Sequence, residues 1–68
     1  MKDDAKKLGE NLKKIRTKNN ITQTKLAKIL GVDKSFVSNI ENGKTNPTLS
    51  TITNLAQTLG VSTNELLR

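Results

Sequence analysis

Cysteine, histidine, tryptophan and tyrosine are all missing from this 68-residue sequence, which has one phenylalanine and one proline. Each shortage excludes something. Without cysteine or histidine there is no disulfide, no zinc finger and no histidine-based acid–base chemistry, so no metal and no cofactor are expected. A single aromatic, Phe36, makes base stacking a poor mechanism and argues against single-strand and RNA-platform binders. No apolar run approaches membrane-spanning length, and the first residues lack the apolar stretch of a signal peptide. A cytoplasmic protein is the expectation. Repeats and low-complexity segments are absent too, and residues 1–68 read as one domain with a small core.

What is abundant is positive charge. Residues 1–44 hold eleven of the twelve lysines and arginines and five of the six acids, so the whole net charge of +6 sits there. Glu65 and Arg68 are the only charges beyond residue 44. A basic surface suggests a polyanionic partner. By itself, though, a lysine-rich helix is only a solvated face, and the charge takes its meaning from the pattern it surrounds.

That pattern is helical throughout. Leu8, Leu12 and Ile15 recur at helical spacing, predicting an amphipathic first helix over about residues 5–18, with Lys7, Lys14 and Lys18 opposite and Asn19-Asn20 closing it. Thr22 is placed to cap a second helix over about 23–30, although Lys25 stands where a capping box wants Glu. Asp33 is read as the cap of a third helix, its charge matched to the positive end of the helix dipole. This helix runs to about Glu41 and stops at Asn42-Gly43. A polar loop with Pro47 leads to Thr48 and a fourth helix, whose buried stripe is expected to be Leu49, Ile52, Leu55, Ala56 and Leu59. Gly60-Val61 ends it, and Ser62-Thr63-Asn64-Glu65 fits a capping box opening a short last helix with Leu66 and Leu67. The expected fold is all-α, five helices with short loops and no strand. Asn20-Ile21-Thr22 matches a glycosylation sequon, read as chance in a chain without a secretion signal.

The stretch of about residues 22–42 is the informative one. Leu26, Ala27 and Leu30 share one face of helix two, and Gly31 can turn the chain sharply through a positive φ. Val32, Val37 and Ile40 then plug helix three onto helix two, the arrangement of a helix-turn-helix, whose second helix keeps its other side free for a DNA major groove. At about 100° per residue from Lys34, the residues Phe36, Val37 and Ile40 fall at about 200–300° and are expected to face the core. Lys34, Ser35, Ser38 and Asn42 fall within about 0–100°, and Asn39 lies just outside, at about 140°. Lys donates to guanine O6 and N7, Asn pairs with adenine N6 and N7, and Ser is permissive, so Lys34, Ser35, Ser38 and Asn39 are the candidate base contacts. An ordinary polar helix surface is the alternative. Phosphates are assigned to Gln23 at the start of helix two, and to backbone N–H groups around Asn42 and Gly43 together with Lys44 and Thr45. Thr45 reads equally well as a plain loop residue.

Two charges sit at the edges of apolar faces rather than among the exposed lysines. Arg16 lies about 40° past Leu12, and Glu41 about 40° past Val37. A partly buried structural ion pair is expected, the alternative being two independent surface charges. Leu66 and Leu67, being adjacent, point about 100° apart, so one enters the core and the other stays outside. Leu67, with Thr63 and Asn64, is the candidate dimer interface in the uncharged C-terminal part, against a lone exposed leucine that needs no partner.

The order TQTKLAKILGVDKSFVSNIENGKTNPTLSTITNLAQTLGVSTNELL, from Thr22 to Leu67, resembles the Cro/CI-type (XRE) helix-turn-helix family of phage repressors and small bacterial regulators. The likeness extends from about Leu8 to Leu67. It implies a lambda-repressor-like domain whose third helix enters the major groove, with the residues matching Gln23, Lys34, Ser35, Ser38 and Asn39 touching DNA. It also implies an Arg and Glu pair at Arg16 and Glu41, and a homodimer formed near the last helix on a pseudo-palindromic double-stranded operator. The expected function is a sequence-specific transcriptional regulator, a repressor or dual regulator of phage-switch or restriction–modification controller type. The rival is a protein-interaction module, such as an antitoxin-like partner that uses the last helix. An enzyme is the weakest reading, since no activated nucleophile or acid–base constellation is visible.

Overall fold

Each of the four interhelical turns holds one residue with a left-handed backbone at a helix end: Asn20, Gly31, Gly43 and Gly60. In the computed structural model, which describes residues 2–68 and side chains from Asp4 onward, the helices are α1 (Lys2–Lys18), α2 (Gln23–Leu30), α3 (Lys34–Glu41), α4 (Leu49–Leu59) and α5 (Thr63–Leu67). No strand occurs among the described residues, and the expected all-α, five-helix architecture is the one observed. Gly31 has φ +73° and donates its N–H to Lys28 O at 3.2 Å, while Val32 donates to Ala27 O at 3.0 Å. These are the two bonds of a Schellman close, and Gly31 allows it without a Cβ clash. The sequence Gly60-Val61 repeats it onto Gln57 O and Ala56 O. Asn20, at φ +59°, takes the glycine's part after α1, a position asparagine tolerates.

Helix starts follow the expected caps with one exception. Thr22 Oγ1 accepts the Lys25 N–H at 3.0 Å, and Thr48 Oγ1 accepts that of Thr51 at 3.2 Å. Ser62 N–H donates to the Glu65 carboxylate at 3.0 Å. Asp33 stands at the N-cap of α3 with an extended backbone, but its side chain makes no capping hydrogen bond; what it contributes there is charge at the dipole's positive end. The first helix starts earlier than expected, at Lys2, and its buried stripe begins at Ala5, one turn before Leu8.

Every helix contributes one side chain with no solvent exposure: Leu12, Leu26, Val37, Leu55 and Leu66 from α1 to α5 in order. The five helices therefore share one core, and burying each leucine stabilises the fold by roughly 1.5–3 kcal/mol. Leu49 is not part of it, contrary to expectation, being 69% exposed. Its angle on α4 suits the stripe, but side chains lean toward a helix's N-terminus. At the first residue of α4 that direction leads past the end of the core. The five-residue α5 is too short to persist alone. Leu66 anchors it, and Asn11 Nδ2 donates to Leu66 O at 2.8 Å and Arg68 O at 2.7 Å, occupying carbonyls at the helix end.

Helices α1 and α3 approach closely at Gly9, in the middle of α1. A Cβ there would collide with the carbonyl oxygens of Ile40 and Glu41, at the end of α3. Backbone on both sides leaves nothing that can yield. A helical Gly→Ala change ordinarily stabilises by about 1 kcal/mol. At Gly9 the sign should reverse: Gly9→Ala should lose about 1–3 kcal/mol through overpacking, lowering the melting temperature by roughly 4–8 °C per kcal/mol. A melting temperature that rises instead would show that α1 and α3 do not meet so closely.

Candidate nucleic-acid interface

The second and third helices form the helix-turn-helix, with Leu26 and Ala27 of α2 buried against Val37 and Ile40 of α3. The outer side of α3 carries the expected polar residues. Lys34, Ser35 and Asn42 are exposed, and Ser38 and Asn39 are half-buried. Asn42 Nδ2 donates to Ser38 Oγ at 3.3 Å, linking successive turns of that face. Lys34, Ser35, Ser38 and Asn39 thus lie together on one accessible strip of donors and acceptors.

Phe36 departs from the expectation that it faces the core: it is 39% exposed. The inner face of α3 is held by Val37, Ile40 and Glu41. On the helix wheel their centre lies about 90° from Phe36, so the ring stands at the flank, next to Asn39.

Glu41 carries the structural centre of the site. Arg16 Nε donates to Glu41 Oε2 at 2.6 Å and Nη2 to Oε1 at 3.1 Å, a bidentate pair in which both residues are 7% exposed. The remaining guanidinium nitrogen, Nη1, donates to Ile21 O at 2.7 Å. The expected ion pair is present, and it is more buried than its edge positions suggested. Gln23, assigned from sequence to a phosphate, is half-buried, and its Nε2 donates to Glu41 Oε1 at 2.9 Å. One carboxylate therefore joins α1, α3 and the first residue of α2.

The turn after α3 differs from the expectation. The backbone N–H groups of Asn42, Gly43 and Lys44 were candidates for phosphate, but they donate to Ser38 O, Ile40 O and Asn39 O at 3.0, 3.1 and 2.9 Å. Closing α3 uses them, because the last carbonyls of a helix need partners. Gly43 has no other donor to offer. Side chains remain: Asn42, Lys44 and Thr45 are exposed. They border a depression that Ala5 and Lys6 of α1 also line, so Lys6 joins this rim. No local sequence signal marks Lys6, since its place depends on how α1 passes the turn.

Residues 12–66 match the model of the family described as helix-turn-helix, HTH_3. The chain belongs to this helix-turn-helix family. The Cro/CI-type resemblance is thereby borne out. Among HTH_3-like relatives, a prophage-derived HTH-type transcriptional regulator of Bacillus subtilis is 43% identical over 60 residues, 88% of this chain and 56% of the relative. The chain thus spans little more than half of that protein. Control protein C.SmaI of Serratia marcescens is 38% identical over 88% of this chain and 71% of its own length. The crystal structure of the restriction-modification controller protein C.AhdI from Aeromonas hydrophila superposes with a TM-score of 0.88 at 36% identity, covering 94% of this chain and 97% of that one.

Removing one member of a buried pair leaves the other charge uncompensated, at about 3–5 kcal/mol, against about 1 or less for an exposed pair. A domain of this size has roughly 3–10 kcal/mol in total. Arg16→Ala should therefore lower the melting temperature by more than ~10 °C, with any DNA binding lost in parallel with the fold. Calorimetry of the variant checks this, and a parent-like melt would reduce the pair to a surface feature.

Proposed function

We propose that this chain is a sequence-specific duplex-DNA-binding regulator of transcription that works as a homodimer on a pseudo-palindromic operator. The observation that carries the reading is the outer strip of α3, where Lys34, Ser35, Ser38 and Asn39 lie together within reach of solvent. These are the donor and acceptor types that major-groove base edges distinguish. The strip belongs to the part of the chain that holds the entire net charge of +6, which suits a phosphate backbone on either side. Lys44, Thr45 and Asn42, with Gln23 across the site, frame the strip as backbone-positioning groups. The prophage-derived regulator and the controller proteins among the relatives support this reading.

Dimerisation is read at α5. Leu66 is buried, while its neighbour Leu67 is 48% exposed beside half-buried Thr63 and exposed Asn64. Beyond residue 44 only Glu65 and Arg68 are charged, so self-contact there avoids the repulsion of the basic part. A protomer measures 28 × 22 × 21 Å, a width that lets two side by side set their α3 helices one DNA turn apart, ~34 Å. No helix among the described residues is long and apolar enough to cross a membrane, in keeping with a cytoplasmic regulator.

On an operator selected from random duplex DNA, Asn39→Ala and Lys34→Ala should each cost about 1–3 kcal/mol, with little loss on random DNA. Lys44→Ala should weaken both alike. Equal losses on both DNAs for Asn39→Ala would show that the strip does not read bases, and no duplex binding even at low salt would favour a protein-interaction module. For the dimer, sedimentation and footprinting of the parent should give a two-fold complex protecting two half-sites. The Leu67→Glu variant should sediment as a monomer. A monomeric parent that protects one half-site, unchanged by the substitution, would defeat the interface.

A further inference from the structure

Phe36 is the chain's only aromatic residue, and the proposed function makes no use of it. It is 39% exposed on the helix that carries the base-reading strip. A single exposed apolar side chain needs no explanation in itself; its neighbours give this one a meaning. The ring forms a wall between two surface depressions. One is lined by Val32, Ser35 and Asn39, the other by Asn39, Thr45 and Pro47. Asn39 lines both, so an amide and a phenyl ring stand side by side on the same surface, flanked by Ser35 and by the loop proposed to touch phosphate. When α3 sets Asn39 on a base edge, Phe36, about 60° further round the helix, stands beside that contact.

Major-groove edges present one apolar group, the C5 methyl of thymine. Phe36 and Asn39 are three residues apart, about 4.5 Å along the helix axis, close to the ~3.4 Å between successive bases on a strand. Resting on the DNA-binding reading of α3, we propose that Phe36 is a specificity-determining residue that contacts a thymine methyl one base step from the base read by Asn39. The ring then loses water contact only on sites that carry a methyl there, and cytosine at that step is disfavoured although no hydrogen bond distinguishes it.

Deoxyuridine lacks only that methyl, so replacing each operator thymine in turn by deoxyuridine isolates the contact. The parent chain should lose roughly 4-fold in affinity at one thymine per half-site, the value of one buried methyl. Phe36→Ala should bind the unmodified operator more weakly and be indifferent to deoxyuridine at that position. An unchanged deoxyuridine penalty in Phe36→Ala, or no penalty at any thymine for the parent, would overturn the assignment. A second measurement avoids the variant altogether. With 5-iododeoxyuridine at the sensitive position, irradiation of the parent complex should crosslink to Phe36, and a crosslink formed only at another residue would equally overturn it. Failure to bind any duplex would instead refute the DNA-binding reading itself, so the two failures are distinct.

Discussion

The orientation of α3 depends on Glu41. Its carboxylate takes two hydrogen bonds from Arg16 and one from Gln23, while its backbone rests against Gly9. Gly9 and Arg16 are seven residues apart on α1, so both lie on the same side of that helix. One helix thus grips the end of α3 twice, by close backbone approach and by a charge pair. A buried pair is seldom more stabilising than a well-packed apolar one, but it tolerates no half-removal. Its directional bonds also hold a helix at one angle, which matters when the opposite face must meet a partner with fixed spacing.

Charge and apolar surface are divided along the chain. The lysines belong to α1, α2, α3 and the turn after it, whereas α4 and α5 are nearly uncharged. The C-terminal helix is held by one buried leucine and two bonds from Asn11, which leaves Leu67 outside. This division separates a polyanion-facing part from a part able to meet its own copy without like-charge repulsion. The family resemblance fits the division but does not explain the reading face, since a shared fold leaves specificity to the side chains grafted on it. The side chains proposed for that role are Lys34, Ser35, Ser38 and Asn39, with Phe36 at the flank.

The five helices and most of their ends follow from local sequence. Thr22 and Thr48 cap, Gly31 and Gly60 turn, and the apolar stripes run at helical period; all of these are local, involving neighbours within about four residues. Arg16 and Glu41 were legible for a related reason, because a charge at the edge of an apolar stripe has few ways to be buried except with its opposite. Tertiary structure alone decided the rest. Gly9 carries no local sign of its role, which exists only because the end of α3 passes against it. Asn11 meets Leu66 and Arg68 across more than fifty residues of sequence. Leu49 lies at an angle that suits a buried face, but an angle does not say where the core ends; Phe36 stands at the flank because Glu41, with Val37 and Ile40, completes the inner face of α3. The amides after α3 bond locally to Ser38, Ile40 and Asn39 and not outward, because a chain leaving a helix satisfies its final carbonyls first. Periodicity specifies which side of a helix is apolar; what that side touches, and how far the contact extends, depends on five helices arriving at one core together.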